Sequence, residues 1–191
     1  MTVELAPVPW PALAELARVP TAFRVDRVLQ ATRHDDGRVR FTERPVPEPY
    51  IKDYDALDGG PLAWPGQFDL SRGGLILARD RGRCVGGAVI LRDVPDFDLF
   101  EGREDPALLH DLRVDPAHRR GGIGRALLAA AADWAGSRGC RTLVIETQDV
   151  NAAACRLYAG SGAALTRIDP RAYPALPGET RLVWELQLPS A

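Results

Sequence analysis

LRVDPAHRRGGIGRALL, residues 112–128, carries the strand-to-helix junction on which the reading of this chain turns. Leu112, Arg113 and Val114 close a strand, Asp115-Pro116 turns the chain, and Arg119-Arg120-Gly121-Gly122-Ile123-Gly124 opens an amphipathic helix. The first N–H groups of a helix have no partner inside it, and the aligned peptide dipoles make that end positive. Glycine at 121, 122 and 124 removes the Cβ atoms that would hold a ligand away from those N–H groups. Arg119, Arg120 and Arg125 add full charges beside them. Such a loop suits a pyrophosphate. It is not a P-loop, which ends in Gly-Lys-Ser/Thr where this chain has Gly124-Arg125-Ala126. Nor is it a dinucleotide fingerprint, whose third glycine falls where Leu127 stands.

Downstream of the junction, Ile123, Leu127, Ala130 and Trp134 recur at steps of four, three and four, which predicts one face of a helix over 122–137, stopped by Ser137 to Gly139. RTLVIET (141–147) reads as a buried strand. Asn151 to Tyr158 reads as a short helix ended by Gly160 and Gly162, and residues 163–168 and 180–188 as closing strands. Upstream, 107–114 is the strand that feeds the junction. LILARD (75–80) and CVGGAVILR (84–92) form a hairpin about Arg81-Gly82, and FRVDRVLQA (23–31) with RVRFTERPV (38–46) another about Asp35-Asp36-Gly37. Residues 11–18 predict a short helix with Leu13, Leu16 and Ala17 on one face. PVPWP (7–11), RPVPEPY (44–50) and GGPLAWPGQ (59–67) read as turns. The alternation of strands and helices, flanked by hairpins, predicts an α/β layer with a mixed sheet. With no internal repeat, 191 residues make one domain.

Hydrophobic residues are 46% and charged residues 26% of the chain, enough apolar material for a folded core. Twenty-four basic against twenty-six acidic residues leave a net charge of -2, which argues against a nucleic-acid binder. No apolar run approaches a membrane span, and LLAAAA (127–132) is among the longest. MTVELAPVPW at the start bears Glu4 and no early cation, so no secretory signal is expected. Cys84, Cys140 and Cys155 are too few and too irregular for a disulfide framework. With only His34, His110 and His118 beside them, no metal site is expected, and the compartment is read as reducing cytoplasm.

Two blocks resemble a known family. Arg119-x-x-Gly122-x-Gly124, after a strand ending Val114-Asp115-Pro116, looks like the coenzyme A pyrophosphate loop of the GNAT superfamily of N-acetyltransferases. Asn151, Ala154, Leu157, Tyr158 and Gly162-Ala163 resemble that superfamily's second signature. Together they cover about 110–165, with core signatures over 107–168. A narrower similarity, to streptothricin acetyltransferases, lies in Glu146-Thr147-Gln148-Asp149-Val150-Asn151 and Tyr50-Ile51-Lys52-Asp53-Tyr54-Asp55. Those enzymes usually carry Tyr-Ile-Glu before Asp111, and this chain has Leu108-Leu109-His110. The resemblance implies a GNAT-like, mostly antiparallel mixed sheet flanked by helices, with splayed strands at 107–114 and 141–147 holding acetyl-CoA.

It also implies roles. Backbone groups of Leu112, Arg113 and Val114 pair with the pantetheine arm as an added strand does. Arg119 through Arg125 take the pyrophosphate, and Asn151 touches the pantetheine chain or serves as a plain N-cap. Tyr158 protonates the leaving thiolate, by hydrogen bonding as much as by full transfer, or is a core tyrosine. A lysine-like acceptor amine is protonated at pH 7 at a cost of ~4.6 kcal/mol, so a base is required. Glu146 stands first, then His110 and Asp111. The last two fall on opposite faces of their strand unless a bulge intervenes. The acidic residues of 93–105 form either a solvated loop or a lure for a cationic amine. Trp64 and Phe68 either wall an acceptor pocket or pack in the core. The expected reaction acetylates a primary amine of a small molecule, an antibiotic of the streptothricin type included. The alternatives are a protein N-terminus or lysine as acceptor, or a non-catalytic acyl-CoA-binding module. Leu182-Val183-Trp184 offers an apolar strand for a homodimer, by analogy only.

Overall fold

Arg81 and Gly82 both take left-handed φ values, 50° and 78°, as a two-residue hairpin turn with the strand twist demands. They join β4 (Gly74–Asp80) to β5 (Arg83–Arg92) in antiparallel register, with nearly every residue of both strands buried or half-buried. This hairpin, read from the sequence, is the middle of the first of two compact units. The computed structural model describes residues 3–33, 39–94 and 98–189. Residues 1–22, 53–144 and 187–191 form the first unit, and 23–52 and 145–186 the second.

In the first unit the strand order is β1 (Val3–Val8), β4, β5 and β6 (Pro106–Val114), and the start of β7 (Thr142–Gln148), up to residue 144, belongs to it. The pairs β1/β4, β4/β5 and β5/β6 are antiparallel. β1 includes part of a stretch that reads as a turn. It pairs with β4 alone, and an edge strand tolerates Pro7. α3 (Ile123–Gly136) packs on β1, β4, β5 and β6. It buries Ile123, Leu127, Leu128, Ala131, Trp134 and Ala135, whereas Ala130, placed by the spacing in the core face, is half-buried. A helix laid across four strands buries a stripe wider than one row of side chains. Two strand glycines make room for the helices. A Cβ at Gly74 would stand 2.3 Å from the Trp134 indole, and one at Gly87 2.7 Å from Leu16 Cδ1. The opening helix is shorter than predicted: a 3-10 turn at Trp10–Ala12 precedes α1 (Leu13–Leu16), with Ala17 half-buried beyond it. No side chain caps it, and Pro20 follows closely. α2 (Asp55–Asp58) is a single turn ended by Gly59.

In the second unit β2 (Phe23–Arg33) and β3 (Val39–Lys52) form a two-stranded antiparallel ribbon, and the remaining strands run β7, β9 (Arg181–Gln187), β8 (Ala164–Asp169). The Asp35-Asp36-Gly37 turn lies outside the described residues. β3 continues through RPVPEPY, which the sequence predicts as a turn. Its register jumps from Val25↔Tyr50 to Arg27↔Pro45, so Pro47 and Pro49 fall in a bulge where no ladder N–H is missed. α4 (Ala152–Gly160) packs on β2 and β8. Phe41 stacks on Trp184 at 5.6 Å. Leu182, Val183 and Trp184 are all within 1% of full burial in this one chain, so the strand expected to offer a dimer face is core instead.

Lys52, the chain's single lysine, is buried with its Nζ 2.7 and 2.8 Å from the two carboxylate oxygens of Glu179. Among the described residues, no helix is long and apolar enough to cross a membrane, and no three metal-binding side chains gather at one point. Cys84, Cys140 and Cys155 are free thiols.

Candidate active site

At the end of β6, Asp115 accepts the Ala117 N–H at 2.9 Å and starts a 3-10 turn over Pro116–His118. Arg119 folds back, its Nε donating to the Val114 carbonyl at 3.0 Å, which ties the loop to the strand end. Arg120 and Gly122 then take φ values of 65° and 85°. Alternation of left-handed residues is what lets successive N–H groups face one concavity. Gly122 is the N-cap of α3, and no side chain caps the helix there. A Cβ on Gly122 would meet no atom within 4 Å, so the space over the helix start is open. Ile123 is buried and holds the first turn down; Gly124 is half-buried, and Arg120, Gly121, Gly122 and Arg125 are exposed. Among the described residues neither Arg120 nor Arg125 joins an ion pair. The junction is thus an uncapped, positively charged, unobstructed helix start.

Upstream on β6, the register against β5 slips: Val89 faces Asp111 and Ile90 faces Leu109, leaving His110 as the extra residue of a bulge. The Trp64 ring meets the imidazole edge-on at 4.7 Å and Phe68 does so at 4.6 Å. The indole N–H of Trp64 donates to Asp58 at 3.3 Å, and the Arg113 guanidinium lies 5.4 Å from the same ring. Neither His110 nitrogen has a hydrogen-bond partner among the described residues, and Nε2 is shut from solvent. Burial holds the imidazole below its ordinary pKa, against the pull of Asp111 and Asp58 and with the help of Arg113.

Asp111 is differently placed. Arg113 Nε and Nη2 donate to its two oxygens at 2.9 and 3.0 Å, and the same guanidinium holds Asp55 at 2.9 and 3.0 Å and the Val19 carbonyl at 3.1 Å. Burial alone would lower the Arg113 pKa, but these carboxylates raise it, so it is a fixed cation. The sequence reading names only the Arg113 backbone. The aspartate-rich run before Gly59 was the available signal for its partner Asp55. Leu112 and Val114 face Ala88 and Gly86 across the β5 ladder.

In the second unit Glu146 accepts the Tyr173 hydroxyl at 2.6 Å and lies 3.9 Å from Arg181, while Gln148 donates to the same hydroxyl at 2.9 Å. Burial and the Glu146 charge push the Tyr173 phenol far above its usual range. No sequence signal marks Tyr173. Asp149 binds the Thr180 N–H through its side chain and, through its backbone carbonyl, the Leu29 N–H, so this part of the narrower motif fastens β2 and the approach to β9. Asn151 is the N-cap of α4, its Oδ1 taking the Ala154 N–H at 3.1 Å. Tyr158 is buried on α4, its ring 6.3 Å from that of Trp184.

Phe68 also lines a cavity of about 560 Å³ with Trp10, Pro11, Leu13, Pro65 and Leu70, and Asp69 on its wall. Of the acidic segment, Asp93 pairs with Arg72 at 2.9 Å; Asp96 lies outside the described residues.

Fold comparison gives the class. A structure from Bacillus anthracis str. Ames, described as a candidate streptothricin acetyltransferase in complex with acetyl coenzyme A, superposes with a TM-score of 0.80 over 98% of this chain and 100% of its own, at 21% identity. A nourseothricin acetyltransferase gives 0.74 over 99% and 100%, at 25% identity. In sequence, a streptothricin acetyltransferase of Escherichia coli is 33% identical over 175 residues, 90% of this chain and 89% of the relative. Residues 34–163 match the family model described as Acetyltransferase (GNAT) family. The chain belongs to the GNAT acetyltransferase family. It is accordingly an acyltransferase, an N-acetyltransferase that takes its acetyl group from acetyl-CoA and passes it to an amine.

Proposed function

We propose that the chain acts as one N-acetyltransferase domain that acetylates a primary amine of a small molecule, of the kind its streptothricin-acetylating relatives are named for. The observation that carries the reading is the bare start of α3 with left-handed Arg120 and Gly122 ahead of it. The N–H groups of Arg120 to Arg125, with Gly121, Gly122, Ile123 and Gly124 giving close approach, take the coenzyme pyrophosphate, and the Arg119, Arg120 and Arg125 cations neutralise it. The backbone of Leu112, Arg113 and Val114 receives the pantetheine arm. In the second unit, Asn151 adds a contact to that arm while capping α4, and Tyr158 supplies a hydroxyl to the departing thiolate. The base that relieves the acceptor amine of its proton is one of Glu146, His110 and Asp111. The cofactor set is acetyl-CoA without a metal. Free thiols at Cys84, Cys140 and Cys155 fit a reducing compartment, the cytoplasm.

Thiol release from acetyl-CoA tests the acceptor. Streptothricin, small lysine-like amines and a peptide with a free N-terminus are compared at equal concentration. Release with streptothricin or a small amine is expected; release with the peptide alone overturns the small-molecule reading. The enzyme's own thiols interfere little, since burial pushes Cys155 up to about 12 and also raises Cys84 and Cys140.

A further inference from the structure

We propose that His110, set in a socket of Trp64 and Phe68, is the base that takes the proton from the acceptor amine; this deepens the acetyl-transfer reading above and rests on it. Four observations converge. First, a bulge removes His110 from the regular alternation of β6, and bulges near active sites re-aim a side chain. Second, the competing carboxylates are engaged. Asp111 is bound by two N–H groups of Arg113, and Glu146 by the Tyr173 hydroxyl with Arg181 nearby. Third, no described residue hydrogen-bonds to either imidazole nitrogen, which leaves the Nδ1 lone pair unengaged while Nε2 is shut from solvent. Fourth, the rings at 4.7 and 4.6 Å exclude water on two sides, and the Asp58 and Arg113 contacts to Trp64 fix one of those rings in place.

The chemistry balances as follows. The acceptor ammonium gives its first proton to His110, which releases it to solvent, and the neutral amine nitrogen then attacks the thioester carbonyl carbon, forming the N–C bond. The C–S bond breaks and coenzyme A leaves as thiolate. The nitrogen sheds one proton to the lone pair on Nδ1, since Nε2 is sealed, and that proton passes through water to the thiolate. The products are the amide and the coenzyme thiol. The charged groups that face the imidazole are Asp111 on its own strand, Asp58 on α2, and Arg113. Desolvation outweighs the two carboxylates and keeps the ring unprotonated at neutral pH. Phe68 is then a positioning residue: it keeps the base dry.

The test is the pH dependence of kcat from pH 4.5 to 8 with saturating acetyl-CoA and streptothricin, or the small amine found active, for the wild type, His110→Gln and Phe68→Ala. Acetyl-CoA binding is measured by calorimetry alongside. The wild-type rate should fall only below pH 6.5, because the working form is the neutral imidazole and its pKa is lowered. H110Q should lose about 10²–10⁴ in kcat and its acid limb, with coenzyme affinity within threefold. F68A, which admits water to the ring, should move the acid limb upward toward the ordinary histidine value of about 6.5. H110Q with kcat within threefold of wild type and the same limb overturns the assignment and leaves acetyl transfer standing. Should H110Q fail to fold, F68A decides, and an unmoved limb overturns it. A wild type that releases no thiol with any amine overturns both readings.

Discussion

Lys52 and Glu179 show how much one residue can hold. A lysine ammonium and a carboxylate, 6% and 9% exposed at their side chains, meet at 2.7 Å, and Tyr50 adds a hydroxyl at 3.5 Å. Burial, and then the Glu179 charge, raises the Tyr50 phenol above its ordinary value, so the hydroxyl stays a donor through neutral pH. Removing one partner leaves a buried charge alone. Glu179→Gln should therefore cost about 3–5 kcal/mol in urea unfolding, whereas the double change Lys52→Met with Glu179→Leu should recover most of it. A double variant as unstable as the single one would show that the pair matters for more than mutual neutralisation. Nothing in the sequence joins residues 52 and 179: a contact over such a separation leaves no local pattern, and the same holds for Tyr173 on Glu146. His110 could be named from the sequence as a titratable strand residue, but its bulge could not. The slip depends on how β5 pairs, which the period of β6 alone does not encode.

Elements were most legible where chemistry is local. The turn at Arg81-Gly82, the strand at 141–147 and the helix after Gly122 all stand within a residue or two of where composition and period put them. The failures came where pairing outvotes propensity. β1 and the far half of β3 are strands in spite of their prolines, because each has neighbours on one side only. Asn151 sits where both kinds of evidence meet: it caps α4 in the structure and belongs to the family signature in the sequence. Asn151→Ala should cost about 1 kcal/mol of stability, and Asn151→Asp much less, since aspartate caps as well as asparagine. If Asn151 also touches the coenzyme, both variants raise the KM for acetyl-CoA. A KM raised in Ala but not in Asp would confine the residue to capping.

At the scale of the molecule, a ligand that binds only the folded chain raises its melting point by mass action. Acetyl-CoA at 100 times its Kd should stabilise by about 2.7 kcal/mol, which for a chain of this size is about 5–10 °C in Tm. Gly122→Glu should abolish that shift by placing a carboxylate at the helix start. Gly122→Ala separates charge from backbone strain, because both side chains endure the same φ of 85° while the space for a Cβ is open. Alanine should keep part of the shift, and a glutamate variant with the full shift would remove the pyrophosphate from α3. The same sealed ion pair that anchors residue 52 has a bearing on the enzyme's own chemistry. A catalyst that acetylates amines meets no rival acceptor among its side chains, because its single ammonium is locked against Glu179. Amine-directed reagents should likewise pass over it in the native state, so that labelling of that nitrogen becomes a clock for how often the β3 end lets go of the segment before β9.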